Sequence, residues 1–281
     1  MPDTSSQSDA VKASLAGAVP PQPRVMGAVN WLGLWTLYKK EVRRFLKVSF
    51  QTVAAPVATT LLYMMVFSLA IGVTREAPGG FPFVVFLGPG LIMMGLLNNA
   101  FANSSSSLIV AKVQGNTVDF LMPPLSAGEL AAAFIGGAIT RGVLVAAASA
   151  AVIIPFASLP VAHFWAIAFF GVGAAAMLGM AGVIAGVWAE KFDHLAVITN
   201  FIIMPLTFLS GTFYSISILP EPFQTISHFN PFFYLIDGFR YGFIGYADGN
   251  IAIGVAVTLV INAVLVVACY GVLRSGWRLR T

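Results

Sequence analysis

The sequence predicts an all-α integral membrane protein with an N-terminal interfacial helix, six transmembrane helices and a broken helical hairpin before the last span. Three observations carry this. Of the 281 residues, 58% are hydrophobic and only 9% charged, with a mean hydropathy of +0.87, whereas a soluble domain carries about 25% charged residues. Six apolar segments reach the length of about 20 residues that a bilayer core demands. The cations gather on one side of those segments, as the positive-inside rule requires. A soluble fold of this length has nowhere to hide so much apolar surface. The sequence pI of about 9.3 does not point to nucleic acid, because the Lys and Arg residues flank membrane segments. The lipid bilayer is the surface the charge addresses.

Taken in order, residues 1–27 are polar, contain Pro and lack an apolar h-region, so they read as a disordered cytoplasmic tail rather than a signal peptide. Residues 28–281 form the transmembrane domain. It opens on an amphipathic helix over 29–47. Trp31, Leu34, Trp35, Tyr38, Val42 and Phe45 recur at helical spacing, with Thr36, Lys40, Arg43, Arg44 and Lys47 opposite. That composition describes a helix lying in the membrane interface; a plain stop-transfer cluster is the alternative. The spans fall at about 50–73, 83–107, 128–155, 163–189, 195–218 and 250–273. Twelve of the 15 Lys and Arg residues then lie on one side, with Arg75 and Arg240 on the other and Arg141 within the third span. Both termini are accordingly cytoplasmic.

Several chemistries find no foothold. The lone Cys269 sits in the last span and reads as packing. His163, His194 and His228 are scattered over different loops, with no pair at metal-ligand spacing. Glu190, Asp193 and His194 read as a solvated loop, and no nucleophile–base set emerges. A phosphate-cradling Gly-x-x-x-x-Gly-Lys loop is excluded, because the chain contains no Gly-Lys dipeptide.

Polar residues inside the spans are the candidate pathway. The second span ends in Asn98, Asn99, Asn103 and Ser104–Ser107, which either line a polar route or hydrogen-bond between helices. Arg141 lies deep in the third span. It contacts an anionic substrate group, pairs with a carbonyl or a neighbouring Asn, or snorkels to the interface. Gly182 and Gly186 have the small-xxx-small spacing that favours close helix packing.

Two segments outside the spans carry coupling or gating signals. In the loop 112–127, Gly115 and Pro123-Pro124 bracket a short segment with Val118, Phe120, Leu121 and Met122. Apolar residues on a short cytoplasmic helix call for a partner groove; the alternative is an inter-helix turn capped by Ser126 and Glu129. In the hairpin 219–246, breaks at Pro222, Pro231 and Gly238 interrupt an aromatic-rich run. Irregular backbone at membrane depth survives only when buried in protein or lining a cavity. Asp237 and Arg240 stand at i,i+3 and can pair. Phe229, Phe232, Phe233, Tyr234, Phe239, Tyr241, Phe243 and Tyr246 form an aromatic collar or, alternatively, an interfacial belt.

The run Leu209-Ser210-Gly211-Thr212-Phe213-Tyr214, then Leu219-Pro220, Gln224, Asn230-Pro231 through Tyr234 and Asp237-Gly238-Phe239-Arg240-Tyr241-Gly242 closely resembles the hallmark region of ABC-2 type ABC transporter permeases. Lys40-Glu41-Val42-Arg43-Arg44-Phe45, Gln51 through Pro56 and Leu61-Leu62-Tyr63 resemble the drug- and nodulation-factor-exporter branch more than the polysaccharide branch. The resemblance covers about residues 35 to 275 and implies the following. The hairpin is a re-entrant pair of short helices closing the outer end of the pathway, with Ser210, Gly211, Asn230, Pro231, Tyr234, Asp237 and Arg240 at the gate. Gly115, Thr117, Asp119, Phe120, Leu121, Pro124 and Glu129 belong to a coupling helix. Lys112-Val113-Gln114 departs from the family's Arg-Glu pair. The chain is the permease subunit of an exporter in the bacterial inner membrane and is no enzyme. It works as a homodimer with two copies of a separate ABC ATPase, and Mg-ATP sits on that partner, with no cofactor on this chain. The substrate is a drug, lipid or other amphiphile. The alternatives are a polysaccharide exporter, an ion-gradient-driven transporter or an intramembrane enzyme.

Overall fold

The computed structural model describes residues 27–71 and 76–279. The disordered tail expected over 1–27, apart from Gly27, lies outside the described residues, as do Arg75, Arg280 and the last two residues of the first expected span. Residues Trp31–Thr281 form one compact unit.

Helix α1 (Trp31–Leu46) ends on Arg43 and Arg44, cations that suit the negative pole of the helix dipole. Its buried stripe is Leu37, Glu41 and Phe45, an i,i+4 ladder laid on a later helix. Trp31 and Trp35 stay exposed, and the stripe that packs on the bundle is a separate one that includes an acid. The chain then bends within two residues. Thr52 Oγ1 donates to the Phe45 carbonyl at 2.8 Å and pins the elbow. A π turn (Phe50–Ala54), closed by the Ala55 N–H on the Phe50 carbonyl, leads into α2 (Ala55–Ile71).

A two-residue antiparallel ladder, β1 (Glu76–Ala77) with β2 (Phe81–Pro82), precedes α3 (Phe83–Val113). This helix runs six residues past its expected end. Its serines do not stop it: Ser105 Oγ donates back to the Phe101 carbonyl of the same helix at 2.8 Å and Ser106 Oγ to that of Asn103 at 3.3 Å, while Ser104 and Ser107 reach neighbouring helices. A short α4 (Val118–Leu121) is followed by α5 (Ala127–Ile153) and α6 (Phe164–Trp188).

The fifth span is where the structure departs most from expectation. It comprises α7 (Phe192–Ile198), a π turn (Thr199–Ile203) and α8 (Met204–Leu209), and stops nine residues short of the expected 218. The cause is local: Gly211 has φ +74°, a left-handed conformation that ends helices and that glycine alone adopts without strain. The chain continues through a 3₁₀ turn (Ile216–Ile218) into α9 (Glu221–Phe229), α10 (Pro231–Ile244) and α11 (Ile251–Ser275). Pro222 and Pro231 occupy first-turn positions, where the missing N–H costs nothing. Gly238 is not a break: α10 runs through it.

The central column is α3, 89% buried along its apolar stretch, against 11% for α2 and for α11 and 17% for the fifth span. It packs on α5, α6, α10 and α2. The approach of α6 is set by its small residues: a Cβ at Gly182 would lie 2.5 Å from the Phe101 carbonyl oxygen, and one at Gly186 3.0 Å from that of Ser105. Among the described residues, six helices are thus long and apolar enough to cross a membrane, with the lightly covered α2, fifth span and α11 at the periphery.

Candidate functional site

Three clusters hold the functional candidates. The first lies at the basic end, where α3 and α6 finish. Gly115, at φ +70°, turns the chain out of α3, and α4 follows. Phe120 is buried, edge-on to Phe134 at 5.8 Å between centroids, in a cluster with Leu108, Val183 and Leu273. Of the apolar residues grouped there by sequence, Phe120 thus packs into the bundle and does not face a partner. Phe120 anchors α4 to the bundle, Leu121 is half-buried, and Val118, Asp119 and Met122 are the exposed ones. Thr117 is buried and Pro124 exposed. Glu129 belongs to a capping box. Its Oε2 accepts from the Ser126 N–H at 2.6 Å, and the Glu129 N–H donates to Ser126 Oγ at 3.3 Å, satisfying orphan donors at the start of α5. Lys112 donates to the carbonyls of Val187 (2.7 Å) and Ala189 (2.5 Å), capping the carboxyl end of α6 with a cation. Arg278 adds a bond to the Trp188 carbonyl at 2.8 Å and an ion pair with Glu190 at 3.2 Å.

The second cluster lies where α1 meets α3 and α5. Glu41 is buried and accepts from Ser107 Oγ at 2.7 Å. Arg44 pairs with Glu41 at 3.2 Å and donates to the Asn103 carbonyl at 2.6 Å and to Ser106 Oγ at 3.1 Å. Asn103 is fully buried in this joint. Arg141 Nη2 donates to Asn99 Oδ1 at 2.9 Å, one turn farther along both helices. Beside the joint, α2, α3 and the fifth span enclose a cleft of about 560 Å³ whose walls include Thr60, Asn98, Asn99, Ser105 and Ser106. Asn98 and Asn99 thus face the cleft, Asn103 is in the joint, and Arg141 stands behind Asn99. Sequence reasoning placed Glu41 and Arg44 in the helix but missed their pairing, since α1 was read for its apolar and basic faces alone.

The third cluster holds the hairpin against the opposite end of α3. Asn230 caps α10 by accepting from the Phe232 N–H at 3.1 Å. Its amide donates to the Leu206 carbonyl and to Ser210 Oγ, both at 2.8 Å, so it ties α10 to the end of α8. Arg240, 1% exposed, donates to the Gly211 carbonyl at 2.6 Å and the Phe86 carbonyl at 3.3 Å, and lies 4.0 Å above the Phe86 ring. Its approach to Asp237 is 3.9 Å. Asp237 in turn accepts the N–H groups of Asp248 and Gly249, each at 2.9 Å. Asp248, absent from the sequence reading, accepts from Ser215 Oγ (2.6 Å) and Tyr246 OH (2.9 Å). Burial, then this bond to Asp248, pushes the Tyr246 phenol up to about 12. Tyr234 and Pro231 are half-buried, while Phe232, Phe233, Phe239 and Phe243 are core residues; those four are not an exposed belt.

The hairpin clasp, the short α4 foot and the polar cleft occupy the segments that resemble a transporter, and similarity to known proteins decides the family. A sequence model of the ABC-2 type transporter family matches residues 33–244. The chain belongs to the ABC-2 type transporter family. It is 36% identical over 252 residues to the inner membrane transport permease YadH of Escherichia coli K12, covering 89% of this chain and 98% of that protein. It is 23% identical over 237 residues to nodulation protein J of Rhizobium leguminosarum bv. viciae (82% and 88%), and 21% identical over 232 residues to that of Sinorhizobium fredii (81% and 86%). In this ABC-2 chain the match begins within α1 and ends with α10, so it contains the whole joint of α1 with α3 and α5, while Tyr246, Asp248, Leu273 and Arg278 of the other two clusters lie beyond it.

Proposed function

We propose that the chain is the permease subunit of an ATP-driven exporter, lying in a bacterial inner membrane with both termini cytoplasmic. Two copies enclose the pathway, and two copies of a separate ATPase dock at the basic end and carry the Mg-ATP. The chain performs no hydrolysis of its own. The observation that carries the reading is α4: a short helix anchored by Phe120 with Val118 and Met122 left exposed. An exposed apolar pair on a rigid foot fits a partner's groove, and Gly115, Thr117, Asp119, Leu121 and Pro124 shape that foot. The absent Gly-Lys dipeptide means a Walker-type phosphate loop comes from elsewhere. Closure of the ATPases pushes α4, and α4 moves α3, α5 and α6 because Phe120 is embedded among them. Nucleotide biases the states because they bind the partner with different affinity. The α8–α10 hairpin, re-entrant from the outer face, releases the cargo, a drug, lipid or other amphiphile. The lightly covered α2 and fifth span supply the face for the second copy.

The test is purification of the tagged chain in gentle detergent with identification of its companions. An ATPase companion, lost with Val118→Asp or Met122→Asp at unchanged thermal stability, supports the reading. Transport by the chain alone under a proton gradient, with no ATPase present, overturns it.

A further inference from the structure

The cleft beside the α1 joint has the volume of a small-molecule site and two unlike walls. Tyr63, Leu91, Met94 and Met204 are apolar, whereas Asn98, Asn99, Ser105 and Ser106 are polar; no Asp, Glu, Lys or Arg lines it. Directly behind the polar wall stand two guanidinium groups. Arg44 holds Ser106 at 3.1 Å, and Arg141 holds Asn99 at 2.9 Å. The carboxylate beside them, Glu41, is already shared by Arg44 and Ser107. Asn99 occupies one N–H of Arg141 but brings no charge. Among the described residues, Arg141 has no carboxylate within ion-pair distance.

Donors also outnumber acceptors. Arg44 Nε, Arg141 Nε and Asn103 Nδ2 are buried without a partner. A cation inside a membrane bundle without a counter-charge is costly, and its persistence marks a functional position. Positive potential is focused in a low-dielectric cleft, here through an amide and hydroxyl wall that offers hydrogen bonds but no compensating anion.

We infer that this cleft binds an amphiphile with an anionic headgroup. The headgroup sits at Asn98, Asn99 and Ser106, in the field of Arg141 and Arg44, and the apolar chain lies along Tyr63, Leu91 and Met204. Calling that amphiphile the cargo rests on the exporter reading; the binding itself does not.

The experiment measures binding of three amphiphiles with the same alkyl chain to the purified full-length permease in phosphatidylcholine nanodiscs. They are dodecyl phosphate, dodecyl glucoside and dodecyltrimethylammonium. The phosphate should bind about tenfold or more tightly than the glucoside, the ammonium most weakly. Arg141→Gln should erase that preference and Arg141→Lys retain it. Asn98→Asp is the second variant, since Asn98 bonds only back to the Met94 carbonyl of its own helix, at 3.0 Å. A negative charge on the wall should reverse the order in favour of the ammonium. Equal binding of the three, or an order unmoved by both Arg141→Gln and Asn98→Asp, overturns the inference and leaves the exporter reading standing. Absence of an ATPase companion overturns the exporter reading and leaves the order of binding to decide this one. Competition by phosphatidylglycerol would identify the anion as a resident lipid; its lack, as a separate compound.

Discussion

Gly238→Ala should destabilise the protein, although it replaces the poorer helix former in the middle of α10. Helix propensity alone favours alanine by about 1 kcal/mol. A Cβ at 238, however, would collide with three ring atoms of Phe170. That ring has little room to swing clear: it is fully buried and edge-on to Phe169 at 5.1 Å. Overpacking costs about 1–3 kcal/mol, and a boxed-in ring puts this site at the upper end, so the net loss is about 2 kcal/mol. Phe170→Ala costs about 3–5 kcal/mol by itself but removes the obstruction. In that background Gly238→Ala should become stabilising by up to about 1 kcal/mol, a coupling of about 3 kcal/mol between touching residues. Chemical unfolding of the four proteins in nanodiscs, followed by tryptophan fluorescence, completes the cycle. Gly271→Ala in α11, where a Cβ meets nothing within 4 Å, is the control and should be neutral or mildly stabilising. An equal cost for Gly238→Ala in both backgrounds would refute the reasoning and place its effect in the backbone.

At the opposite end, Phe120→Ala should lower stability by about 3–5 kcal/mol, while Met122→Ala, on an exposed side chain, should leave the unfolding midpoint where it was and weaken only the co-purification of the proposed ATPase partner. Ser126→Ala removes one arm of the capping box and should cost about 1 kcal/mol, read from the same unfolding curves. Alkali should loosen the hairpin clasp. A phenol raised by folding stabilises the fold fully below the ordinary tyrosine value of about 10, and that contribution is lost as pH rises through about 12. A phenolate titration of wild type against Tyr246→Phe should therefore lose its latest-ionising component. Asp248→Asn, which weakens the acceptor shared by Ser215 and Tyr246, should raise protease sensitivity between α8 and α9 before the bundle unfolds.

The spans were legible because lipid imposes a length and a composition on every one of them. The α4 turn and the prolines that open α9 and α10 were legible because each follows from local chemistry. What escaped was set by partners distant in the chain. The end of the fifth span depends on the backbone sign at Gly211, and nothing in an apolar run through 218 announces it. Gly238 reads as a breaker when its neighbours are sequential and as a packing surface when its neighbour is Phe170. Glu41 looks like one charge among many on a basic helix; only the arrival of Ser107 from α3 makes it a buried joint. Arg141 and Asn99 are separately visible as polar residues in spans, and their union requires α3 and α5 to be adjacent.

The two π turns have a shared address. Phe50–Ala54 contributes Gln51 to one side of the cleft and Thr199–Ile203 contributes Thr199 to the other. Each carries a hydrogen bond reaching five residues back, Ala55 to Phe50 and Met204 to Thr199, where the rest of the helix reaches four. Such a turn holds one residue more than an α turn, and single π turns of this kind are frequent at functional sites. The cleft is therefore bordered on two sides by turns whose hydrogen-bond register differs by one residue from that of the helices above and below.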